Sequence, residues 1–87
     1  MDRRIGEILR ALREDGLANT TLVIWTSDHG DGLPRAKREL YDSGIRVPML
    51  VQQPGQTTAT TQDRLISFVD LAPTLYRIAG GKNPPAY

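Results

Sequence analysis

The residues best equipped for chemistry are a carboxylate and an imidazole placed side by side, Asp28-His29, followed at once by Gly30. An Asp offers a hard anionic oxygen and a His a nitrogen, so the pair can contribute to a divalent-metal site. Two ligands do not complete such a site. An Asp after a strand is also a common turn residue or helix cap, and a lone His is commonly a hydrogen-bonded structural residue. The chain has a single histidine, so imidazole chemistry within these residues is confined to His29. Further on, Lys37 stands in a basic cluster with Arg35 and Arg38. Such clusters are ordinarily solvated surface, and by themselves they specify no ligand.

The elements around the pair decide where it sits. Thr20 to Thr26 is a β-branched, apolar run that reads as a buried strand, placing Asp28 and His29 at its carboxyl edge. Ligands gather at that edge in open α/β sheets, and Gly30 permits a sharp turn behind it. Upstream, Ile5, Ile8, Leu9 and Leu12 recur at helical spacing, predicting a helix over 2–15 that Gly16 stops. Downstream, the pattern predicts a loop over 27–38 and a strand over 47–51, with Pro48 near its start. A polar loop follows over 52–63, then a strand candidate over 64–69. A helix over 70–79 comes last, with Asp70 as N-cap and Gly80-Gly81 as its end. Residues 82–87 read as a Pro-containing tail. Trp25 and Tyr41 read as packing residues, Asp42 as a cap and Arg46 as the partner of a nearby carboxylate. Asp31 reads as a turn residue, with support of His29 as the alternative. The order of elements is that of an α/β layer arrangement.

Several of these segments together resemble the sulfatase family of the alkaline-phosphatase-like superfamily. The matching elements are Thr26-Ser27-Asp28-His29-Gly30, the basic residue Lys37, Gly44-Ile45-Arg46-Val47-Pro48, and Ser67-Phe68-Val69-Asp70-Leu71-Ala72-Pro73-Thr74-Leu75. The opening helix with Gly6 also fits, so the resemblance covers nearly the whole of 1–87. It implies a partial alkaline-phosphatase-like sheet with flanking helices, corresponding to the last part of a sulfatase catalytic domain. It also implies site roles. Asp28 is matched to a metal ligand, and His29 to the Asn or His that lies at the metal near the sulfate ester. Lys37 is matched to the cation on the sulfate oxygens. His29 and Lys37 are thus the implied catalytic residues, Asp28 and His29 the implied metal ligands. The implied cofactor is a divalent metal, calcium for an oxygen-rich site, with manganese or zinc if a His nitrogen ligates directly. The implied substrate is a sulfated small molecule or glycan.

The chain departs from the family at two points. It contains no cysteine and no Ser-x-Pro-x-Arg, the motif whose first residue becomes the formylglycine nucleophile. Nothing before Thr21 resembles the family's metal-binding Asp pair. The expectation is therefore one edge of an active site, inactive as an isolated 87-residue chain. Two other readings stay open: a phosphate- or phosphonate-ester hydrolase of the same superfamily, and a small non-catalytic α/β module.

Composition narrows the field further. A formal net charge of +1 gives no electrostatic case for nucleic acid or an anionic membrane. No apolar run approaches the roughly 18 residues of a membrane span. Met1-Asp2-Arg3-Arg4 does not lead into a signal-peptide core, and a signal in a longer parent would lie upstream. The absence of cysteine removes disulfides and thiolate metal sites without assigning a compartment. Uncovered sheet edges and apolar faces predict marginal stability for the isolated chain.

Overall fold

The computed structural model describes residues 1–82. Helix α1 spans Asp2–Glu14 and half-buries Ile5, Leu9 and Leu12, whereas Ile8 remains 67% exposed. Its end is a Schellman turn. Gly16 takes φ +72°, its N–H bonds the Arg13 carbonyl at 3.0 Å, and the Leu17 N–H bonds the Leu12 carbonyl at 3.0 Å. Strand β1 is Val23–Thr26 and strand β2 is Met49–Gln52. The one-turn helix α2, Asp42–Ile45, lies between them. A 3₁₀ turn over Phe68–Asp70 leads directly into helix α3, Leu71–Ile78. Helix α3 closes as α1 does, with Gly80 at φ +93° and the Gly81 N–H bonding the Tyr76 carbonyl at 2.9 Å.

The sheet is a two-stranded antiparallel pair with Val23 opposite Gln52 and Thr26 opposite Met49. The carboxyl edge of β1 is therefore the amino edge of β2. The segment 27–48 leaves and returns at that one edge, and a bond from Thr26 Oγ1 to the Pro48 carbonyl (2.9 Å) closes its base. Helices and strands together make the fold α/β in composition.

Several expectations change. The second strand runs over Met49–Gln52 where 47–51 was expected, so Pro48 precedes it. Asp42 lies inside α2 and not at its cap, which is Tyr41, and Tyr41 is 60% exposed where packing was expected. The first strand is shorter than 20–26, because Thr20 is taken up by a turn in which its N–H and hydroxyl both bond the Leu17 carbonyl. The segment 64–69 forms no strand: it runs as coil into the 3₁₀ turn. Its β-branched and aromatic residues favour a strand only beside a partner, and none adjoins it among the described residues. Asp70 does occupy the N-cap of α3, but its side chain makes no capping bond, and its carbonyl instead accepts from Thr74 Oγ1 at 2.6 Å. Of the expected tail, 83–87 lie outside the described residues.

Burial is sparse. Ala36 is the one buried apolar residue among those described. The accessible surface is 8115 Å², against roughly 5,100 Å² for a compact monomer of this mass. The radius of gyration is 15.6 Å, where about 12 Å is usual for this length. Above the sheet, α1 stands across an apolar cleft of about 740 Å³ lined by Ile5, Leu9, Ile24, Trp25 and Leu50, with Thr57 on its rim.

Candidate functional site

Asp28, His29 and Gly30 leave β1 as a bend whose shape is fixed by local hydrogen bonds. Ser27 Oγ donates to the His29 carbonyl at 2.6 Å. The Gly30 N–H donates to the Gly44 carbonyl at 3.0 Å, tying the start of the loop to its end. A Cβ on Gly30 would overlap the Ser43 carbonyl oxygen, so only glycine permits this approach.

His29 is oriented by its own neighbour. Nδ1 lies 2.6 Å from the Gly30 carbonyl oxygen. A carbonyl can only accept, so Nδ1 carries the proton in that bond. The neutral ring then keeps its lone pair on Nε2, which sits 3.6 Å from Asp28 Oδ2. A backbone carbonyl on one imidazole nitrogen is the usual way a metal-binding histidine is held in tautomer and orientation. The His29 side chain is 34% exposed and that of Asp28 is 87% exposed, so both remain open to a ligand.

These two residues line a cleft of about 780 Å³ together with Asp31, Ser43, Arg46 and Pro48. The donor set fits part of a divalent-cation site, one hard anionic oxygen and one imidazole nitrogen converging on the same volume. Among the described residues no group of three or more His, Cys, Asp or Glu side chains is placed to hold a metal. Any complete site therefore needs further ligands.

Lys37 is placed differently. It lies on an exposed turn over 34–38 and is not part of the cleft lining. That turn is nonetheless fastened to the cleft wall. Ser43 Oγ donates to the Arg35 carbonyl, the Ala36 N–H bonds Leu33 at 3.2 Å, and the Glu39 N–H bonds Ala36 at 3.3 Å. Buried Gly44 lies against the carbonyls of Ala36 and Glu39, with no room for a Cβ. Arg35 and Arg38 both take φ +67°, a left-handed conformation that costs a residue bearing a Cβ about 1–2 kcal/mol. The structure thus brings Asp28 and His29 together and holds Lys37 on an adjoining, fixed turn.

Arg46 is the residue that sequence reasoning misplaced. Expected to pair with a carboxylate, it makes no ion pair among the described residues and instead lines the cleft with Asp28 and His29. The Gly44-Ile45-Arg46 segment was visible in the sequence. Only the closure of α2 against Gly30 brings it to the cleft. Asp31 also lines the cleft, but His29 Nδ1 is held by a backbone carbonyl and not by that carboxylate.

Sequence comparison matches residues 1–81 to the sulfatase family. The chain is 48% identical over 83 residues to an ulvan-active sulfatase of Formosa agariphila, covering 94% of this chain and 14% of that protein. It is 39% identical over 83 residues to arylsulfatase K of Bos taurus, covering 91% of this chain and 15% of that protein. It is 36% identical over 85 residues to an N-acetylglucosamine-6-sulfatase of Capra hircus, covering 92% and 15% respectively. The chain therefore spans about one-seventh of the length of these curated relatives.

Proposed function

This chain belongs to the sulfatase family, and from that premise we propose that it forms one wall of the active site of a sulfuric ester hydrolase. The observation that carries this is the His29 arrangement: Nδ1 is committed to the Gly30 carbonyl, leaving Nε2 beside Asp28 Oδ2 in an open cleft. Asp28 and His29 would hold a divalent cation: calcium where further oxygen ligands complete the site, manganese or zinc where His29 Nε2 ligates directly. When bound, that cation supplies Lewis acidity toward the ester oxygens. Lys37 meets the sulfate oxygens with a point charge on a flexible stem. Negative charge develops across the ester as the S–O bond breaks, and cations placed against it, Lys37 on the sulfate oxygens and the metal when bound, would lower the barrier. The substrate is a sulfated glycan or small molecule.

The nucleophile comes from outside these residues, since the sequence contains neither cysteine nor Ser-x-Pro-x-Arg. The remaining metal ligands likewise come from elsewhere in a complete catalytic domain. In that domain β1 and β2 join a larger alkaline-phosphatase-like sheet, which covers the apolar surface left open here. Multiple turnover by the isolated chain is not expected.

A chimera tests the proposal. Residues 1–81 replace the matching segment of the ulvan-active sulfatase, and sulfate release and metal content are measured. The expected result is a folded, metal-loaded chimera that releases sulfate and loses release on Asp28→Ala or His29→Ala. A folded chimera whose turnover survives both substitutions would overturn the assignment. Release of phosphate in preference to sulfate, from otherwise identical aryl esters, would favour a phosphoester hydrolase.

A further inference from the structure

The turn over 34–38 carries more cationic chemistry than one sulfate ester requires. Lys37 is assigned above to the sulfate being cleaved, which leaves Arg35 and Arg38 on either side of it. Both guanidinium groups are exposed, and neither makes an ion pair or a side-chain hydrogen bond among the described residues. On α1, by contrast, Arg3 is engaged with Glu7 at 3.1 Å. The two arginines share one unusual backbone state, φ +67°. Asn, Asp and Gly adopt that state far more readily. Left-handed backbone at residues with long side chains persists where the surroundings over-determine it. Here the surroundings are specific: Ala36 is buried between the arginines, and Ser43 Oγ holds the Arg35 carbonyl. Ser43 itself lines the Asp28–His29 cleft. The arginine pair is thus mounted on a fixed turn, one hydrogen bond from the cleft wall.

We infer that Arg35 and Arg38 form a second oxyanion subsite, which takes a further sulfate or carboxylate on a carbohydrate whose first sulfate enters the cleft. Guanidinium forks match planar or tetrahedral oxyanions with paired N–H donors. Two cations flanking Lys37 in sequence, on the same exposed turn outside the cleft lining, favour a substrate with anionic groups on neighbouring positions over a monosulfated one. A carbohydrate is favoured over nucleic acid, because the turn holds no aromatic residue on which a base could stack. This subsite rests on the sulfate-ester reading of the cleft, so its test is read as binding, without turnover.

The 87-residue chain is titrated by calorimetry with a sulfated dextran oligomer, a carboxymethyl dextran and a single-stranded oligonucleotide of matched charge. Titrations span about 50 to 200 mM salt. Arg35→Asn/Arg38→Asn removes both charges with a residue that tolerates the left-handed backbone. Arg4→Gln/Arg10→Gln removes the same charge from α1 with a residue that suits a helix. The expected result is dextran binding that falls about tenfold or more in the turn variant, with the salt slope reduced by about 2. The helix variant should stay within about twofold, and Arg35→Lys/Arg38→Lys should retain part of the affinity. The two dextrans then identify the preferred oxyanion. Equal losses in turn and helix variants, the signature of binding by overall charge in a folded or unfolded chain, would overturn the subsite. So would oligonucleotide binding as tight as dextran binding, or no binding at all. The hydrolytic reading fails separately, in the chimera, if turnover does not depend on Asp28 and His29.

Discussion

The loop between β1 and β2 and the arm that follows β2 hold their shapes by opposite means. The loop folds onto itself: Gly30 meets Gly44, Ser43 meets Arg35, and Ala36 is 5% exposed beneath its turn. Few of its residues are apolar, yet it contains the only buried apolar side chain among those described. The arm is richer in hydrophobes and buries none of them. Leu65 is fully exposed, Val69 is 75% exposed and Ile78 is 63% exposed. The difference separates two kinds of encoding. The site's local geometry is written in backbone hydrogen bonds and close glycine contacts inside the chain. The packing of its strands and helices depends on apolar cover that these residues do not provide. A sheet face and a helix stripe are stable only when buried against another layer.

The sharpest way to break the comparison is chemical. In the chimera, Asp28→Ala should abolish metal-dependent sulfate release, because it removes the anionic oxygen of the proposed ligand pair. Metal content and steady-state rates measured together check this. Next, Lys37→Ala should leave metal content unchanged and lower kcat/KM by about 10²–10³-fold, the usual loss for one stabiliser of transition-state charge. Loss of metal and activity together, or of neither, would remove Lys37 from the sulfate. A third substitution addresses the loop's self-closure. Gly30→Ala forces a Cβ into the Ser43 carbonyl and should cost about 1–3 kcal/mol, read as a lower thermal midpoint of the chimera. The smallest effect belongs to the arm. Leu65→Ser should change the stability of the isolated chain by less than about 0.5 kcal/mol, because nothing covers Leu65 there. In the chimera the same change should cost more, if the surrounding domain supplies the missing layer.

The loop's placement was legible because it follows directly on an apolar, β-branched run. Asp28-His29-Gly30 after an apolar run marked the edge where the structure places them. Gly16 and Gly80 marked both long helices' ends through their left-handed backbone. What stayed illegible depends on partners. Leu65, Ile66, Phe68 and Val69 have strand composition, but strand formation needs a neighbour with free N–H and C=O groups, and the segment has none. The direction of pairing between β1 and β2 was equally hidden, since apolar runs look alike in parallel and antiparallel sheets. Arg46 was read as structural because sequence order shows a basic residue before a strand and conceals the turn of α2. Only the contact between Gly30 and Gly44, residues far apart in sequence, returns Arg46 to the cleft.

Trp25 carries one consequence of this layout. It is the single tryptophan in the chain, and it lines both the apolar cleft under α1 and the cleft of Asp28 and His29. Indole emission responds to the polarity and charge around the ring, so one intrinsic chromophore sits between the exposed apolar cleft and the cleft proposed to bind a cation. A blue shift on assembly would report exclusion of water from one side. A change in intensity on adding a divalent cation would report charge arriving at the other. The two events become optically separable without a label, from a residue that contributes to neither the ligand pair nor the cationic turn.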